Sequence, residues 1–216
     1  MTTGRKKNKS NREWIRRHVT DPYVQAATRH GYRSRAAYKL IEIDDRDRLL
    51  RPGAVVIDLG AAPGSWTQVV AERLTTRAGE LRGRIIAVDL LPIEPIAQVR
   101  FIQGDFREEA VAAELAAALG GDRADVILSD MAPNLSGIAV ADAARSGHLG
   151  ELAIEFATAH LAPTGALLLK AFQGSGYSQL IESLKRRFVR VAVRKPTASR
   201  AESAETYVLA RGLKST

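Results

Sequence analysis

The sequence contains no cysteine among its 216 residues, which excludes disulfide bonds and thiolate metal sites and is typical of a reducing compartment. No apolar run approaches the roughly 20 residues that a membrane-spanning helix needs. The basic N-terminus is not followed by the apolar segment of a signal peptide. We therefore expect a cytoplasmic protein with no membrane partner and no metal site.

Positive charge is concentrated at the start of the chain. The net charge is +8, and residues 1–39 carry 11 basic and 2 acidic residues, so the remainder is close to neutral. A second basic cluster lies near the end, at Lys185, Arg186, Arg187, Arg190, Arg194, Lys195 and Arg200. This asymmetry favours a polyanionic partner, most often nucleic acid. A solubilising tail explains residues 4–12 equally well.

Short apolar segments alternate with helical patterns over most of the chain. Strands are predicted at residues 55–60, 84–90, 99–105, 124–130, 166–172, 188–194 and 206–211. Helices are predicted at 34–49, 64–77, 107–119, 142–161 and 177–187, and a further one in 13–30 is interrupted near Asp21-Pro22. Ser34 is a candidate N-cap, and Pro163-Thr164-Gly165 a candidate break.

This alternation predicts an α/β fold with a mostly parallel, seven-stranded sheet that is covered on both faces. Continuous Val, Ile and Leu runs are typical of strands that are buried on both sides. Only a loop separates the last two strands, and a parallel crossover needs more chain than that. The final strand is therefore predicted to run antiparallel.

Acidic residues end four of the five central strands: Asp58, Asp89, Asp105 and Asp130. Ligands of open α/β sheets bind beyond the carboxyl ends of the strands. Asp89, at the end of the second strand, is placed to accept hydrogen bonds from the hydroxyl groups of a ribose. Asp105 is placed to accept a hydrogen bond from the amino group of an adenine. The acids therefore predict a nucleoside site.

The loop after the first strand, within the stretch DLGAAPGSW, has few side chains, which indicates a ligand close to the backbone. Its spacing, Gly60-x-x-x-Gly64, lacks the middle glycine with which a G-x-G-x-x-G fingerprint meets pyrophosphate. S-adenosylmethionine, which has no phosphate, therefore matches better than NAD. Trp66 is either a core anchor or a wall of the cofactor pocket, and its position just past the loop favours the pocket.

Several motifs together resemble the FtsJ/RrmJ-type ribosomal RNA 2′-O-ribose methyltransferases. They are SRAAYKLIEID, DLGAAPGSW, DLLPIEPI, GDFRE, SDMAPNLSG, LLLKAFQG and KPTASRAESAETYVLA, and the similarity as a whole runs from about residue 14 to residue 212. The resemblance implies a Rossmann-like class I methyltransferase fold, with S-adenosylmethionine as methyl donor. It also implies ribosomal RNA as the partner, within the large ribosomal subunit, with a uridine ribose as the acceptor. We expect the protein to be a monomer.

The resemblance implies individual site residues as well. The Lys-Asp-Lys-Glu catalytic set of the family falls on Lys39, Asp130, Lys170 and Glu205, and its cofactor contacts fall on Gly64, Trp66, Asp89, Asp105 and Asp130. Glu202 also lies near the last position, but Glu205 directly precedes the final strand. Residues 1–50 are expected to form a basic, RNA-contacting extension, and residues 51–216 the catalytic domain.

One position departs from the family pattern, which usually reads PGGW where this chain has Ser65. A positive φ there would strain Ser65, and we expect ordinary helical geometry instead. Sheet topology alone brings Asp130, Lys170 and Glu205 to one edge, whereas only the resemblance places Lys39 with them. Whether Lys170 accepts the proton of the attacking hydroxyl or steers that hydroxyl stays open.

Alternative functions make different demands on the sequence. An NAD-dependent oxidoreductase is disfavoured by the missing glycine and by the lack of a clear acid–base residue among the four histidines. A non-catalytic RNA-binding protein would not need the intact acids and Lys170. A base methyltransferase would carry two prolines and an aromatic residue where this chain reads SDMAPN. Ribose methylation of tRNA or of an mRNA cap stays open.

Overall fold

In a computed structural model, which describes residues 19–133, 139–200 and 203–215, the chain forms one sheet with helices on both faces. The strands are β1 (Val55–Leu59), β2 (Arg84–Asp89), β3 (Val99–Gln103), β4 (Ala124–Ser129), β5 (Leu161–Phe172), β6 (Phe188–Arg194) and β7 (Glu205–Leu213). The helices are α1 (Pro22–His30), α2 (Ala37–Asp47), α3 (Ser65–Leu74), α4 (Glu109–Leu119), α5 (Ala139–His160) and α6 (Tyr177–Arg187).

The sheet has the strand order β3-β2-β1-β4-β5-β7-β6. Neighbouring strands from β3 to β5 are parallel, and β7 runs antiparallel to both β5 and β6. Strand β7 runs antiparallel because only a short connection joins it to β6, and a parallel arrangement would need a longer crossover. The predicted fold class, a mostly parallel seven-stranded sheet with an antiparallel last strand, is confirmed.

Each face of the sheet has its own buried core, because successive side chains of a strand point to opposite faces. One core joins Ile57, Ile127 and Leu167 of the strands to side chains of α4, α5 and α6. The other joins Val56, Leu128 and Leu168 to side chains of α2 and α3. Helix α2 thus shares a core with the sheet, and the division into residues 1–50 and 51–216 stays a prediction.

Helix α5 ends at His160, before the predicted break at Pro163-Thr164-Gly165, but these three residues lie inside β5 and not in a loop that precedes it. The pairing of β5 with β4 shifts register there: Leu161 faces Ala124, but Ala166 faces Val126. The extra residues of β5 form a bulge, which lets the strand continue past a proline. A Cβ atom on Gly165 would lie 2.8 Å from the Leu161 side chain, so the bulge also needs the glycine.

Local capping sets the starts of the first two helices. Asp21 is the N-cap of α1, where its side chain accepts a hydrogen bond from the Tyr23 N–H at 3.0 Å, and Pro22 follows at the first position. The predicted N-cap Ser34 is wrong by two residues, because Ala36 occupies that position in α2. The Ser34 hydroxyl accepts from the Ala36 N–H at 3.2 Å and bonds to the Ser65 hydroxyl at 2.8 Å.

Membrane-spanning helices and metal-ligand clusters are both absent from the ranges that the structure describes. No helix in those ranges is long and apolar enough to cross a membrane. Nor does any group of three His, Cys, Asp or Glu side chains there form a cluster that could hold a metal ion. The expectations of cytoplasmic location and of no metal site stay predictions.

Candidate active site

The strand order reverses between β1 and β4, which opens a crevice at the carboxyl edge of the sheet. The loop from Gly60 to Gly64 lies at this crevice between β1 and α3. The N–H groups of Gly60 and Ala61 donate to the Val88 carbonyl at 2.9 and 3.2 Å, which fixes the loop to the end of β2. The glycine loop therefore lies at the edge of the sheet where the sequence predicts ligand binding.

Protein groups fill the space beside both glycines of this loop. A Cβ atom on Gly60 would lie 2.5 Å from Cγ of Met131, and one on Gly64 would lie 2.5 Å from Nη1 of Arg33. Both residues also have positive φ angles, 75° and 102°. The interpretation that a ligand explains the bare loop is thus incomplete, because backbone conformation and close protein packing each require glycine there.

A cavity of about 720 Å³ opens at this edge, within the range of small-molecule sites. Its lining includes Gly60, Ala62, Asp89, Leu90, Leu91, Asp105, Phe106, Arg107, Asp130, Met131 and Lys170. Four of the predicted site residues therefore share one cavity: Asp89, Asp105, Asp130 and Lys170. The predicted residues Gly64, Trp66, Lys39 and Glu205 do not line it.

Asp89 holds the glycine loop while it faces the cavity. Its Oδ2 accepts from the Ala62 N–H and its Oδ1 from the Leu91 N–H, both at 2.8 Å. Each carboxylate oxygen has a second lone pair, so the group keeps capacity for two ribose hydroxyls. This geometry fits the predicted role of Asp89.

Asp105 is paired with Arg107 at another part of the cavity wall. The Arg107 side chain donates to both carboxylate oxygens at 2.5–3.0 Å, and the Arg107 N–H donates to Oδ1 at 3.0 Å. The hydrogen bonds from Arg107 lower the pKa of Asp105. Both carboxylate oxygens are thus occupied by Arg107, so an adenine amino group could bond to Asp105 only if Arg107 gave up part of this pairing, and the cofactor role of Asp105 stays a prediction.

The Trp66 side chain is a core anchor and not a wall of the pocket, which corrects the sequence interpretation. It is 2% exposed, and its ring lies 5.5 Å from the Tyr207 ring. Its indole N–H donates to the Ala36 carbonyl at 2.8 Å, which ties α3 to the start of α2. The position of Trp66 on α3 directs its side chain toward the sheet. A cofactor contact from Trp66 would have to come from its backbone.

Ser65 begins α3 and is not among the described non-glycine residues with positive φ, so the expected helical geometry is confirmed. The preceding Gly64 carries the left-handed conformation instead, with φ 102°. Ser65 is buried, and its hydroxyl bonds to that of Ser34. The departure from the family pattern is therefore accommodated by one internal hydrogen bond.

Lys170 and Asp130 form a partly buried ion pair at the cavity. The Lys170 ammonium lies 2.9 Å from Oδ1 of Asp130 and donates to the Asp130 carbonyl at 2.8 Å. The two residues lie at the ends of the adjacent parallel strands β4 and β5. The Lys170 side chain is only 9% exposed, so its orientation is held by these bonds.

Lys39 and Glu205 form a second buried pair behind the first. Their Nζ and Oε1 atoms are 2.7 Å apart, and Ser199 donates to the same oxygen at 3.0 Å. Burial raises the pKa of Glu205, but the positive charges of Lys39 and Lys170 outweigh it and hold the pKa below its ordinary value. The structure thus brings together all four residues of the predicted catalytic set.

Tyr207 joins the two pairs, and sequence reasoning missed it. Its hydroxyl donates to Oδ1 of Asp130 at 2.8 Å, and Lys39 Nζ lies 5.7 Å from its ring centre. Burial and the carboxylates of Asp130 and Glu205 raise the pKa of Tyr207 well above its ordinary value, so the phenol stays a donor. The sequence gives no local signal for this role, because the pairing of Tyr207 with Lys170 across β5 and β7 is visible only in the structure.

Asp58 is fully buried below the loop, not at the cavity surface. Its Oδ2 accepts from the Thr67 hydroxyl at 2.6 Å, and its Oδ1 has no partner among the described residues. Burial raises the pKa of Asp58 to about 7. Of the four acids at the strand ends, this one therefore supports α3 and does not meet the ligand directly.

Comparison with known proteins agrees with this geometry. The chain matches the family described as FtsJ-like methyltransferase over residues 32–213. It is 59% identical over 208 residues to the Ribosomal RNA large subunit methyltransferase E of Bordetella parapertussis, which covers 96% of this chain and 99% of that protein. The protein of the same name from Ralstonia nicotianae is 58% identical over 216 residues, with 96% and 98% covered.

Solved structures show the same architecture. A Plasmodium falciparum protein described as a ribosomal RNA methyltransferase superposes with a TM-score of 0.74 at 32% identity, covering 84% of this chain and 98% of that chain. Fibrillarin from Aeropyrum pernix, which contains bound S-adenosyl-L-methionine, has a TM-score of 0.53 at 16% identity over 81% and 73% of the two chains. At that identity the second likeness concerns the fold alone.

The fold and the cavity define an S-adenosylmethionine-dependent methyltransferase. Within that class, the chain belongs to the FtsJ-like methyltransferase family, as the matched residues and the identity to full-length relatives establish. The predictions of family, enzyme class and methyl donor are confirmed. The roles of the individual site residues stay predictions.

Asp89→Ala should weaken binding of S-adenosylmethionine about tenfold to a hundredfold, because a charged hydrogen-bond acceptor is worth roughly 1.5–3 kcal/mol. Titration calorimetry with the methyl donor measures the effect. Asp122→Ala is the matched control, because that carboxylate is 60% exposed and pairs with Arg84 at the other end of the sheet. An unchanged affinity in Asp89→Ala would show that the ribose site is elsewhere.

Proposed function

We propose that this protein transfers a methyl group from S-adenosylmethionine to the 2′-oxygen of a ribose, in a uridine of large-subunit ribosomal RNA. The observation that carries the proposal is the Lys170–Asp130 pair at the cavity, backed by the Lys39–Glu205 pair. The names of the relatives from Bordetella and Ralstonia support the RNA and the ribosomal subunit. The uridine and the 2′ position rest on the family resemblance.

Positioning supplies most of the rate in this proposal. S-adenosylmethionine, which Asp89 and Asp105 would hold, would supply the methyl group: the 2′-oxygen would form a C–O bond as the C–S bond breaks, the hydroxyl proton would pass to Lys170 or to water, and S-adenosylhomocysteine would leave. Holding both reactants in place replaces a bimolecular encounter. Lys170 either accepts the hydroxyl proton or orients an oxygen lone pair, while Asp130 and Tyr207 fix its position. Lys39 and Glu205 support this arrangement from behind.

The partners follow from the same proposal. We infer that the protein acts in the cytoplasm as a monomer, on ribosomal RNA in the large subunit, with residues 1–50 contacting RNA and 51–216 carrying catalysis. Excess positive charge in residues 1–39 suits a phosphate backbone. Helix α2 contributes Lys39 to the site, so the RNA-contacting segment and the catalytic groups meet at that helix.

Methyl transfer from labelled cofactor tests the function. Free large-subunit RNA, the isolated large subunit, total tRNA and capped mRNA serve as acceptors in parallel. The expected product is a 2′-O-methylated uridine in large-subunit RNA, identified by nuclease digestion and nucleoside mass spectrometry. A 2′-deoxy substitution at the mapped nucleotide is the matched control and should remove the product. Label in a base, in tRNA or in a cap would overturn the proposed acceptor.

Removal of residues 1–12 should weaken RNA binding and flatten its salt dependence, while cofactor affinity stays unchanged. These residues lie outside the described ranges and carry Arg5, Lys6, Lys7, Lys9 and Arg12. Each phosphate that the shortened protein no longer neutralises should reduce the slope of log K against log salt by roughly 0.7–0.9. Filter binding over a salt series measures this. An unchanged slope would support the solubilising-tail explanation instead.

A further inference from the structure

Arg33 connects two loops that border the proposed cofactor cavity. It lies between α1 and α2, and its Nη1 donates to the Pro63 carbonyl at 2.9 Å while its Nη2 donates to the Pro95 carbonyl at 3.2 Å. Pro63 belongs to the glycine loop, and Pro95 belongs to the loop that follows Asp89 and β2. One planar guanidinium therefore bridges the loop that receives the methyl donor and the loop beside the ribose carboxylate.

The segment that leads up to Arg33 is anchored to α3. The Arg33 N–H donates to Oε1 of Gln68 at 2.9 Å, and Nε2 of Gln68 donates to the Gly31 carbonyl at 3.0 Å. The Tyr32 hydroxyl donates to Glu72 at 2.6 Å. The Arg33 guanidinium thus extends from a segment that hydrogen bonds to α3 hold in place.

Gly64 shows how closely the guanidinium packs on the glycine loop. A Cβ atom at Gly64 would lie 2.5 Å from Nη1 of Arg33 and 3.3 Å from Cδ1 of Ile96, which belongs to the second loop. Side chains from two other segments therefore meet over this glycine. Within the described ranges, Arg33 forms no ion pair, and its two side-chain hydrogen-bond acceptors are carbonyl groups.

We propose that Arg33 is a positioning residue for S-adenosylmethionine, which holds the Pro63 and Pro95 loops at the separation that the bound cofactor requires. The inference rests on the cofactor site proposed above. Without the bridge, ordering both loops would oppose binding, since preorganisation lowers the entropic cost of association. Arginine suits the role because its planar fork donates to two acceptors at once, whereas a lysine presents a single point charge.

Calorimetric titration of S-adenosylmethionine into three variants tests the proposal. Arg33→Ala, which removes both guanidinium hydrogen bonds, should weaken binding about tenfold, because the two freed loops would have to be ordered on binding, while kcat at saturating cofactor stays within about twofold of wild type. The cofactor affinity of Arg33→Lys should lie between those of the wild type and Arg33→Ala. Tyr32→Phe is the matched control, because it removes a hydrogen bond between the same segment and α3 without touching either loop, and it should bind like wild type.

Three results would overturn the inference: unchanged cofactor affinity in Arg33→Ala, equal weakening in Tyr32→Phe, or weaker RNA binding alone. If the alanine variant does not fold, the cofactor affinity of Arg33→Lys tests the inference instead. Asp89→Ala in the same titration separates this inference from the proposed site. If Asp89→Ala weakens binding and Arg33→Ala does not, only the role of Arg33 fails. If neither variant weakens binding, the cofactor site itself is wrong.

Discussion

Lys170→Ala should abolish methyl transfer, with kcat lowered by about 10²- to 10⁴-fold, the usual contribution of a positioned proton-transfer group. Lys170 lines the cavity, and its ammonium lies 2.9 Å from Asp130. Cofactor affinity and the fold should be preserved, because Tyr207 still donates to Asp130. Single-turnover transfer of a labelled methyl group, with calorimetry beside it, measures both quantities.

Lys185→Ala is the matched control for this variant, since that lysine is 57% exposed and pairs only with Glu182 on α6 among the described residues. At saturating RNA it should transfer methyl groups at the wild-type rate, because its place in the second basic cluster concerns RNA affinity alone. Activity within about twofold of wild type in Lys170→Ala would remove both roles of Lys170 and, with them, the proposed active site.

Lys170→Arg separates the two roles. Arginine keeps the charge and the donors but does not deprotonate at accessible pH. It can therefore steer the hydroxyl but cannot accept its proton. Substantial activity in the arginine variant would eliminate the general-base role and leave steering. Loss of activity equal to that of the alanine variant would support proton transfer, provided that calorimetry shows normal cofactor binding.

Lys39→Ala should lower the free energy of unfolding by about 3 kcal/mol near neutral pH, because removing one partner leaves a buried charge uncompensated. Glu205 and Lys39 have side chains that are 10% and 13% exposed, so solvent replaces the missing partner poorly. Denaturant unfolding measures the loss. Adding Glu205→Gln to Lys39→Ala removes the orphaned charge and should recover part of the stability.

The loss should also depend on pH. In the wild type, the pKa of Glu205 lies below its ordinary value, so the pair contributes its full stability above that value and loses it as the pH falls through the folded pKa. In Lys39→Ala, burial remains and raises the pKa of Glu205. The difference between the two proteins should therefore begin to shrink above the ordinary glutamate pKa of about 4.3, where the orphaned carboxylate of the variant takes up a proton, and it should shrink further below that value, where the wild-type pair is lost. A pH-independent loss would contradict the proposed charge pair.

Sequence reasoning predicted the architecture well, since strands and helices follow local patterns. Continuous apolar runs such as Val55–Leu59 predict buried strands, and the missing helix between β6 and β7 predicts the reversal. The strand-end acids followed from the same reasoning, because parallel strands present their carboxyl ends at one edge. The bulge at Pro163 was missed, since a proline usually marks a break and only pairing with β4 shows that the strand continues.

Details of the site were harder to predict. Trp66 lies beside the glycine loop in sequence, yet the turn of α3 directs its indole into the core against Tyr207. The cofactor contact of Gly64 stays a prediction, and the structure adds that Arg33 from a distant segment fills the space beside this glycine. For Trp66, proximity along the chain was a poor guide, because a helix rotates each side chain by about a quarter-turn or more relative to its neighbour.

The sequence by itself determined the order of elements, the glycine loop, and the positions of Asp89, Asp105, Asp130 and Lys170 at one edge of the sheet. These depend on local periodicity and on the rule that parallel strands share a direction. Only the tertiary structure decided that Lys39 reaches Glu205, that Tyr207 joins the two ion pairs, and that Arg33 bridges two loops. Those contacts join distant segments, and their geometry depends on how helices and strands pack, which no local pattern records.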